Sequence, residues 1–176
     1  MKNLKTRHLL GNILILASLL ILSFTYYPMI KLYFLPPPKV QNYSYSIVIP
    51  KINAYAPIIP NVNPWQKSEY LPALSKGVAQ AKDNSSFFFA HSSDLPWKIT
   101  RYNTAFLRLG ELQKGDRIII AKGDLTQQYQ VINKKEVWPW EVQYVKKIDP
   151  NQIILMTCTP VGTSLKRLLV FALLSP

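Results

Sequence analysis

Two short apolar segments near the C-terminus restrict the fold of this chain more than any other feature. The first, residues 153–158, begins with β-branched residues and is too short for an independent helix. A proline and a glycine interrupt the pattern, and residues 167–172 form the second segment. Eight residues separate Cys158 from Arg167. If the segments pair as a β-hairpin, Cys158 and Arg167 face each other, with Cβ atoms about 5 Å apart.

A thiol at the end of a strand with a guanidinium beside it indicates a nucleophile that carries its own anion stabiliser. The thiolate is the reactive form of cysteine, and a neighbouring arginine or imidazolium favours it. The alternative is that Cys158 is a small buried hydrophobic residue, as many free cysteines are. The compartment in which the domain lies helps to choose between these interpretations.

An almost uncharged apolar segment near the N-terminus predicts a membrane-spanning helix. Residues 9–27 form this run, whose length is close to the roughly 20 residues that cross a bilayer. Lys2, Lys5 and Arg7 lie in the preceding segment, residues 1–8, and favour a cytoplasmic N-terminus. The run lacks the small-residue cleavage pattern of a signal peptide. We therefore predict a single-pass anchor in the cell membrane, with the rest of the chain outside the cytoplasm.

The segment after the anchor is rich in aromatic residues and proline. Tyr26 and Tyr27 lie at the outer end of the apolar run, like the aromatic belts found at membrane interfaces. Residues 28–44 contain Pro28 and three consecutive prolines, a composition that favours an extended, semi-rigid stalk. We expect residues 45–176 to form the globular domain.

The globular segment contains many short apolar runs and few helical patterns. Helical spacing is confined to a turn at residues 71–74 and to short helices predicted at residues 102–113 and 141–148. We expect residues 60–84 to form a long, largely irregular connection. Seven or eight short strands with one or two small helices predict a mainly β fold, a closed or nearly closed β-barrel.

The composition limits the chemistry of the site. The chain has one cysteine, so an internal disulfide is impossible, and an unpaired cysteine in an exported protein suggests a reactive thiol. No set of cysteine, histidine or acidic residues has the pattern of a zinc or calcium site, so we predict no metal and no cofactor. The net charge is +12, but the basic residues are scattered, which argues against a nucleic-acid partner.

Only one histidine lies on the predicted outer side of the membrane. His8 precedes the anchor, whereas His91 ends the apolar run at residues 86–91. His91 and Cys158 both lie where a predicted strand opens into a loop, and such loops often carry functional groups. His91 is therefore the candidate partner of Cys158; the alternative is an ordinary surface or capping histidine.

The sequence around these residues resembles the sortase family. Cys158 lies in the motif Thr-Cys-Thr-Pro-x-Gly, and Arg167-Leu-Leu-Val begins nine residues after the cysteine. Similarity extends to Gly77-Val-Ala and Phe89-Ala-His-Ser-Ser and covers, in order, about residues 45–174. The cysteine motif is closer to class C and class D sortases than to class A. No aspartate-aromatic lid motif and no second membrane span is visible, which favours a class D-like or housekeeping enzyme over a pilin polymerase.

The resemblance implies a cysteine transpeptidase with a sortase-like β-barrel. By motif, Cys158 is the nucleophile, His91 the general acid and base, and Arg167 the donor to the substrate carbonyl or oxyanion. Such an enzyme cleaves a sorting signal of the Leu-Pro-x-Thr-Gly type on a surface protein and forms a thioacyl enzyme. It then transfers the surface protein to an amine of the cell envelope. The expected partners are therefore a surface protein, an envelope amine and, through the N-terminal helix, membrane lipid.

Residues beside the catalytic groups are our candidates for substrate binding, namely Thr157, Thr159 and Ser92. Ala90 replaces a glycine that often precedes the catalytic histidine in the family, which leaves the sorting-signal specificity unpredicted. Two alternatives to a transpeptidase stay open on the sequence. One is a cysteine peptidase in which water resolves the thioacyl enzyme, and the other is a non-catalytic, anchored β-barrel that binds wall polymer.

Overall fold

A computed structural model of the chain describes residues 2–35, 44–141 and 149–175. Within these ranges there are two α-helices, eight strands and three short 3₁₀ helices. The helices are α1 (Lys2–Phe34) and α2 (Lys67–Leu74), and the strands are β1 (Tyr45–Ile49), β2 (Ala54–Val62), β3 (Val78–Ala81), β4 (Phe87–Phe89), β5 (Arg117–Lys122), β6 (Leu125–Val137), β7 (Gln152–Thr159) and β8 (Lys166–Leu174). The 3₁₀ helices are Pro50–Ile52, Pro96–Lys98 and Leu109–Glu111.

The strands close into a barrel in the order β1-β2-β3-β4-β7-β8-β6-β5. This confirms the predicted mainly β, closed-barrel fold. Two of the pairings, β2 with β3 and β4 with β7, are parallel, and the others are antiparallel. Parallel neighbours need a crossover connection. For β4 and β7 this connection contains β5 and β6, so two segments that are distant in the sequence lie side by side.

Side chains of β4, β7 and β8 alternate between the barrel interior and its outer surface, as a pleated strand requires. Phe88, Leu155 and Val170 belong to the interior core. Phe87 and Ile154 belong instead to a second group of packed apolar residues on the outer surface. We call this group the outer cluster: Val62, Ala73, Leu74, Ala79, Ala81, Phe87, Phe89, Val137, Ile154 and Leu169. Because both faces are buried, these strands have almost continuous apolar sequences.

Helix α1 is longer than the predicted anchor. Its apolar part, Thr6–Phe34, is long and apolar enough to cross a membrane, with a mean hydropathy of 2.1 over its best window. The helix includes Pro28, so residues 28–34 are helical rather than extended as we predicted. The remaining residues of the expected stalk, 36–43, lie outside the described ranges.

Contacts with the barrel stabilise the helical turns after Pro28. The guanidinium of Arg108 lies over the ring of Tyr33, 4.9 Å from its centroid. The side-chain amide of Asn53 donates a hydrogen bond of 2.8 Å to the carbonyl of Leu35. The packing therefore overrides the tendency of an internal proline to end a helix.

The helix predicted at residues 102–113 is wrong, because this segment forms successive turns that end in the 3₁₀ helix Leu109–Glu111. The amide of Phe106 donates to the carbonyl of His91, at 3.3 Å, instead of to a residue one turn earlier. A long-range bond thus replaces a helical one. The helix predicted at residues 141–148 lies almost entirely outside the described ranges.

The connection predicted as largely irregular, residues 60–84, contains α2 and β3. The helical turn expected at residues 71–74 is the end of α2, which starts at Lys67. Leu74 of this helix packs in the outer cluster, and β3 is inserted between β2 and β4. This region therefore covers the outer surface of the barrel beside the candidate site.

Candidate active site

The parallel pairing of β4 with β7 places His91 beside Cys158. Phe89 lies opposite Met156 in the register of the two strands. The amide of Ala90 donates a 3.2 Å hydrogen bond to the carbonyl of Met156, so the pairing continues past the end of β4. His91 and Cys158 each lie two residues further along. The two residues are therefore level with each other on neighbouring strands.

The hairpin of β7 and β8 places Arg167 on the other side of the cysteine. Cys158 and Arg167 are directly opposed in the antiparallel register, which confirms the pairing predicted from the sequence. Neighbouring strands are about 4.8 Å apart. His91, Cys158 and Arg167 thus form one row across three adjacent strands, with the thiol in the middle.

All three side chains belong to the outer surface of the barrel rather than its interior. Cys158 follows Ile154 and Met156 at alternate positions, and His91 likewise follows Phe87 and Phe89. These preceding residues belong to the outer cluster or pack against it. Each functional group therefore ends a row of apolar side chains where its strand opens into a loop.

A cleft of about 890 Å³ opens over the outer cluster, and His91, Cys158 and Arg167 all line it. Its floor includes Phe87, Phe89, Leu169 and other apolar residues, and loops form its sides. Clefts that bind small molecules or short peptide segments usually have volumes of roughly 300–1,000 Å³. The cleft therefore has room for a short extended peptide above the thiol.

Burial lowers the pKa of the His91 imidazole, and the negative charge of Asp94 opposes this effect only in part. The ordinary pKa of histidine is 6.5, so His91 is neutral at neutral pH. A neutral imidazole is able to accept a proton from a thiol or an amine. The electrostatics of the site thus favour a general base at this position.

A side-chain network holds Asp94 close to His91. Asn103 is buried, and its side-chain amide donates two hydrogen bonds. One goes to the carboxylate of Asp94, at 2.9 Å, and the other to the carbonyl of Lys98, at 2.8 Å. The amide of Leu95 also donates to Asp94, at 2.7 Å. Burial tends to raise the pKa of the Asp94 carboxyl, but these hydrogen bonds outweigh it and hold the pKa below its usual value. Asp94 is therefore a fixed negative charge beside the imidazole.

The guanidinium of Arg167 is held by the loop between β7 and β8. Its Nη1 donates to the carbonyls of Ser164, at 2.9 Å, and Lys166, at 3.1 Å. An arginine has five N–H donors in a planar fork, so donors remain for a ligand in the cleft. Arg167 is thus a cation fixed beside the thiol with part of its hydrogen-bonding capacity still unused.

The three residues proposed for substrate binding occupy different positions. Thr157 lines the cleft, but its side chain is only 4% exposed and its hydroxyl donates 2.9 Å to the carbonyl of Ala90. Ser92 also lines the cleft and is 1% exposed, and its hydroxyl has no hydrogen-bond partner among the described residues. Thr159 donates instead to the carboxylate of Glu136, at 3.2 Å, and is not among the described residues that line the cleft.

Several residues of the site were given no role in the sequence analysis, although Gly162 and Ser93 lie in the motifs quoted there. The amide of Gly162 donates 2.9 Å to the hydroxyl of Ser93, which joins the loop after the cysteine to the loop after the histidine. Asp94 and Asn103 were also missed, although Asp94 follows His91 closely enough to be a candidate for orienting it. No pattern in the sequence indicates that Asn103 reaches back to Asp94.

Tryptophans at the cleft mouth were missed as well. Trp65 and Trp138 line the cleft and are exposed. Trp138 stacks on Trp140 with ring centroids 5.2 Å apart, and the ammonium of Lys166 lies 5.2 Å from the Trp138 ring centroid. The described residues contain no group of three or more histidine, cysteine or acidic side chains that could hold a metal ion.

Comparison with known proteins gives a consistent result. The family model described as "Sortase domain" matches residues 47–175. Among characterised proteins, sortase D of Bacillus subtilis (strain 168) is 30% identical over 140 residues. The match covers 76% of this chain and 65% of that protein, so the chain spans somewhat less than two thirds of the relative's length.

Solved structures of similar fold are also sortases. Sortase C-1 from Actinomyces oris is 27% identical, with a TM-score of 0.63, over 75% of this chain and 73% of that one. Sortase C from Clostridium perfringens, solved with the C-terminal cell wall sorting motif, is 26% identical, with a TM-score of 0.61, over 74% of this chain and 69% of that one.

Proposed function

The chain belongs to the sortase family, and we propose that it is a membrane-anchored cysteine transpeptidase. Its substrate would be a surface protein with a sorting signal of the Leu-Pro-x-Thr-Gly type, and its acceptor an amine of the cell envelope. The single observation that supports this best is the row of His91, Cys158 and Arg167 in one cleft. A nucleophile between a base and a cation is the arrangement that acyl transfer from a peptide carbonyl needs.

In the first half-reaction, the thiol of Cys158 gives its proton to the neutral imidazole of His91 and attacks the carbonyl carbon of the threonine in the sorting signal. The guanidinium of Arg167 stabilises the resulting oxyanion. The C–N bond to the following glycine then breaks, and the imidazolium returns the proton to the leaving amine. The product is a thioester between Cys158 and the surface protein.

In the second half-reaction, an amine of the envelope attacks the thioester carbonyl. His91 accepts a proton from the attacking amine, and the C–S bond breaks to release the Cys158 thiolate, which regains its proton. A new amide bond joins the surface protein to the acceptor. If water replaces the amine, the same groups perform hydrolysis, so the acceptor distinguishes a transpeptidase from a peptidase.

The apolar helix α1 supports the membrane location. None of its best 18-residue window is buried against the barrel, as expected for a segment that lies in lipid. Lys2, Lys5 and Arg7 precede the apolar run of residues 9–27 and favour a cytoplasmic N-terminus. The barrel would then lie outside the membrane, where sorting signals and envelope amines meet.

The test uses the full-length chain in lipid nanodiscs. Wild type, Cys158→Ala and Leu165→Ala are incubated with a library of Leu-Pro-x-Thr-Gly-type peptides and an amine acceptor, and products are read by mass spectrometry. We expect ligated product and a thioacyl adduct with wild type and with Leu165→Ala, whose side chain is exposed on the loop after Cys158. Both should be absent with Cys158→Ala.

Two other outcomes would contradict the proposal. Cleavage without ligation for every amine tested would indicate a peptidase. Neither adduct nor product with any peptide would favour a non-catalytic binding module.

A further inference from the structure

The loop that begins at His91 reaches helix α1. The 3₁₀ helix Pro96–Lys98 packs against α1. On α1, partial burial recurs at Thr25, Pro28, Met29 and Leu32, a spacing of three and four residues that marks one helix face. The last turns of α1 therefore lie along the barrel next to this loop. The part of the helix before Thr25 is exposed and is the segment that would cross the membrane.

The same loop presents large apolar side chains to solvent beside the helix. Trp97 is 69% exposed and Leu95 is 47% exposed. Tyr26 and Tyr27, also exposed, lie on α1 within the turns that contact the barrel. Tryptophan and tyrosine favour the boundary between lipid and water, where the ring is apolar and the N–H or O–H remains hydrated.

Basic residues lie close in sequence to these aromatic side chains. Lys98 is exposed on the loop, and Lys31 is exposed in the last turns of α1. Arg101 follows the loop and lines a small cavity with Leu32 of α1. Asp94 is the acidic residue nearest to the loop in sequence, but its carboxylate is occupied by Asn103 and by the Leu95 amide. The charge of this surface therefore complements an anionic lipid.

We infer that residues 95–98 are a membrane-docking loop, in which Leu95 and Trp97 enter the interface of an anionic bilayer and Lys98 pairs with lipid headgroups. This inference rests on the proposed membrane anchor, because α1 brings the loop to the bilayer. Docking gives the barrel a second attachment point beside the helix. It fixes the rotation of the domain and holds the His91 side of the cleft at the membrane surface.

The docking loop is also rigidly connected to the site. Asn103 donates to the carbonyl of Lys98, in the loop, and to the carboxylate of Asp94, which acts on His91. Ser93, Asp94, Leu95 and Pro96 all line the cleft. Seating of Trp97 in the interface therefore orients the same segment that forms the histidine side of the cleft.

The test measures depth in the bilayer rather than activity. In full-length Cys158→Ser, which lacks the native thiol, a single cysteine is introduced by Trp97→Cys, Leu16→Cys or Leu125→Cys and labelled with a small fluorophore. Leu125 is exposed at the turn between β5 and β6, at the end of the barrel opposite His91. The proteins are reconstituted in vesicles of phosphatidylcholine and phosphatidylglycerol. Quenching by nitroxide-labelled lipid is then compared with quenching by aqueous iodide.

We expect the probe at position 97 to be quenched by headgroup-level nitroxide and shielded from iodide, and the probe at position 125 to behave in the opposite way. Lys98→Glu, or vesicles of phosphatidylcholine alone, should reduce the ratio of docked to undocked protein by about five-fold for each basic side chain that no longer pairs with an anionic headgroup. Lys82→Glu, on the turn between β3 and β4, is the matched charge control and should leave the docked fraction unchanged.

Equal iodide quenching at positions 97 and 125, with position 16 still in lipid, would overturn the docking loop and leave the anchor intact. Iodide quenching at position 16 as well would show that the anchor itself fails, and the docking loop with it. Neither result depends on whether the chain is a transpeptidase.

Discussion

The hydroxyl of Thr157 donates a 2.9 Å hydrogen bond to the carbonyl of Ala90. Thr157 immediately precedes Cys158, and Ala90 immediately precedes His91. One buried hydrogen bond therefore joins the two strands at the point where each reaches the site. Because Thr157 points into the barrel and Cys158 out of it, the bond fixes the spacing of thiol and imidazole from behind.

Replacing Thr157 by valine removes this bond and keeps the side-chain shape. We expect Thr157→Val to lower the free energy of unfolding by about 1–3 kcal/mol, because the Ala90 carbonyl is left unsatisfied in a buried position. The kcat for ligation should also fall, because the bond fixes the spacing of thiol and imidazole, whereas KM should change little. Urea unfolding and steady-state kinetics check both effects. Thr157→Ser, which keeps the hydroxyl, should stay close to wild type; a large rise in KM alone would indicate direct substrate binding instead.

Replacing Arg167 by lysine keeps the charge but removes the planar fork. A lysine cannot bond the two loop carbonyls and still present a donor to an oxyanion in a fixed direction. We expect Arg167→Lys to reduce kcat by roughly 10²-fold, the typical effect of losing one oxyanion donor, with little change in melting temperature. Ligation rates and thermal unfolding measure the two quantities. Activity within a few-fold of wild type would exclude a specific role for the guanidinium.

The Asp94 carboxylate raises the pKa of His91 against the effect of burial. Asp94→Asn removes this charge, so the pKa of His91 should fall further below 6.5 than in wild type. Titration of the His91 ring by NMR, in a His8→Gln background that leaves one histidine, measures this directly. The acidic limb of the ligation pH profile should move to lower pH in the same variant. An unchanged or higher pKa would mean that Asp94 does not act on the imidazole.

The lowered pKa of His91 also predicts how stability depends on pH. The unfolded chain has a histidine of ordinary pKa, 6.5, and therefore takes up a proton before the folded chain does. The free energy of unfolding should thus decrease as pH falls below about 6.5, and His91→Gln should flatten this part of the curve. The lowered pKa of Asp94 acts in a separate range, with its contribution lost as pH falls below about 3.8. Urea unfolding at a series of pH values tests whether the contributions of His91 and Asp94 change in separate pH ranges.

Gly77 lies where a side chain has no space. A Cβ atom at this position would collide with the carbonyl oxygen of Pro57, which is part of β2 and cannot move freely. We expect Gly77→Ala to cost about 1–3 kcal/mol, the usual range for overpacking. This should appear as a melting temperature lower by about 2–4 °C per kcal/mol. Gly110→Ala, where the added Cβ meets only an ordinary contact with Leu168, is the matched control and should be close to neutral.

The part of the site that lies on β7 and β8 was predictable because the two segments are close to each other in the sequence. Only eight residues separate Cys158 from Arg167, so a hairpin between the two segments brings these residues opposite each other. Strand β3 was not predictable, since its four residues are too few to establish a period. The false helix at residues 102–113 has correct helical spacing, but the Phe106 amide bonds to His91 instead. Local patterns carry no information on such long-range bonds.

The row of His91, Cys158 and Arg167 depends on contacts between segments that are far apart in the sequence. Thr157 and Ala90 are 67 positions apart, and closing a loop of that length costs chain entropy before any contact repays it. In a chain whose strands β4 and β7 have not yet paired, Cys158 therefore has no histidine beside it. The surroundings of the Cys158 thiol thus depend on the assembly of the barrel, because a partly folded chain has the cysteine without the imidazole beside it.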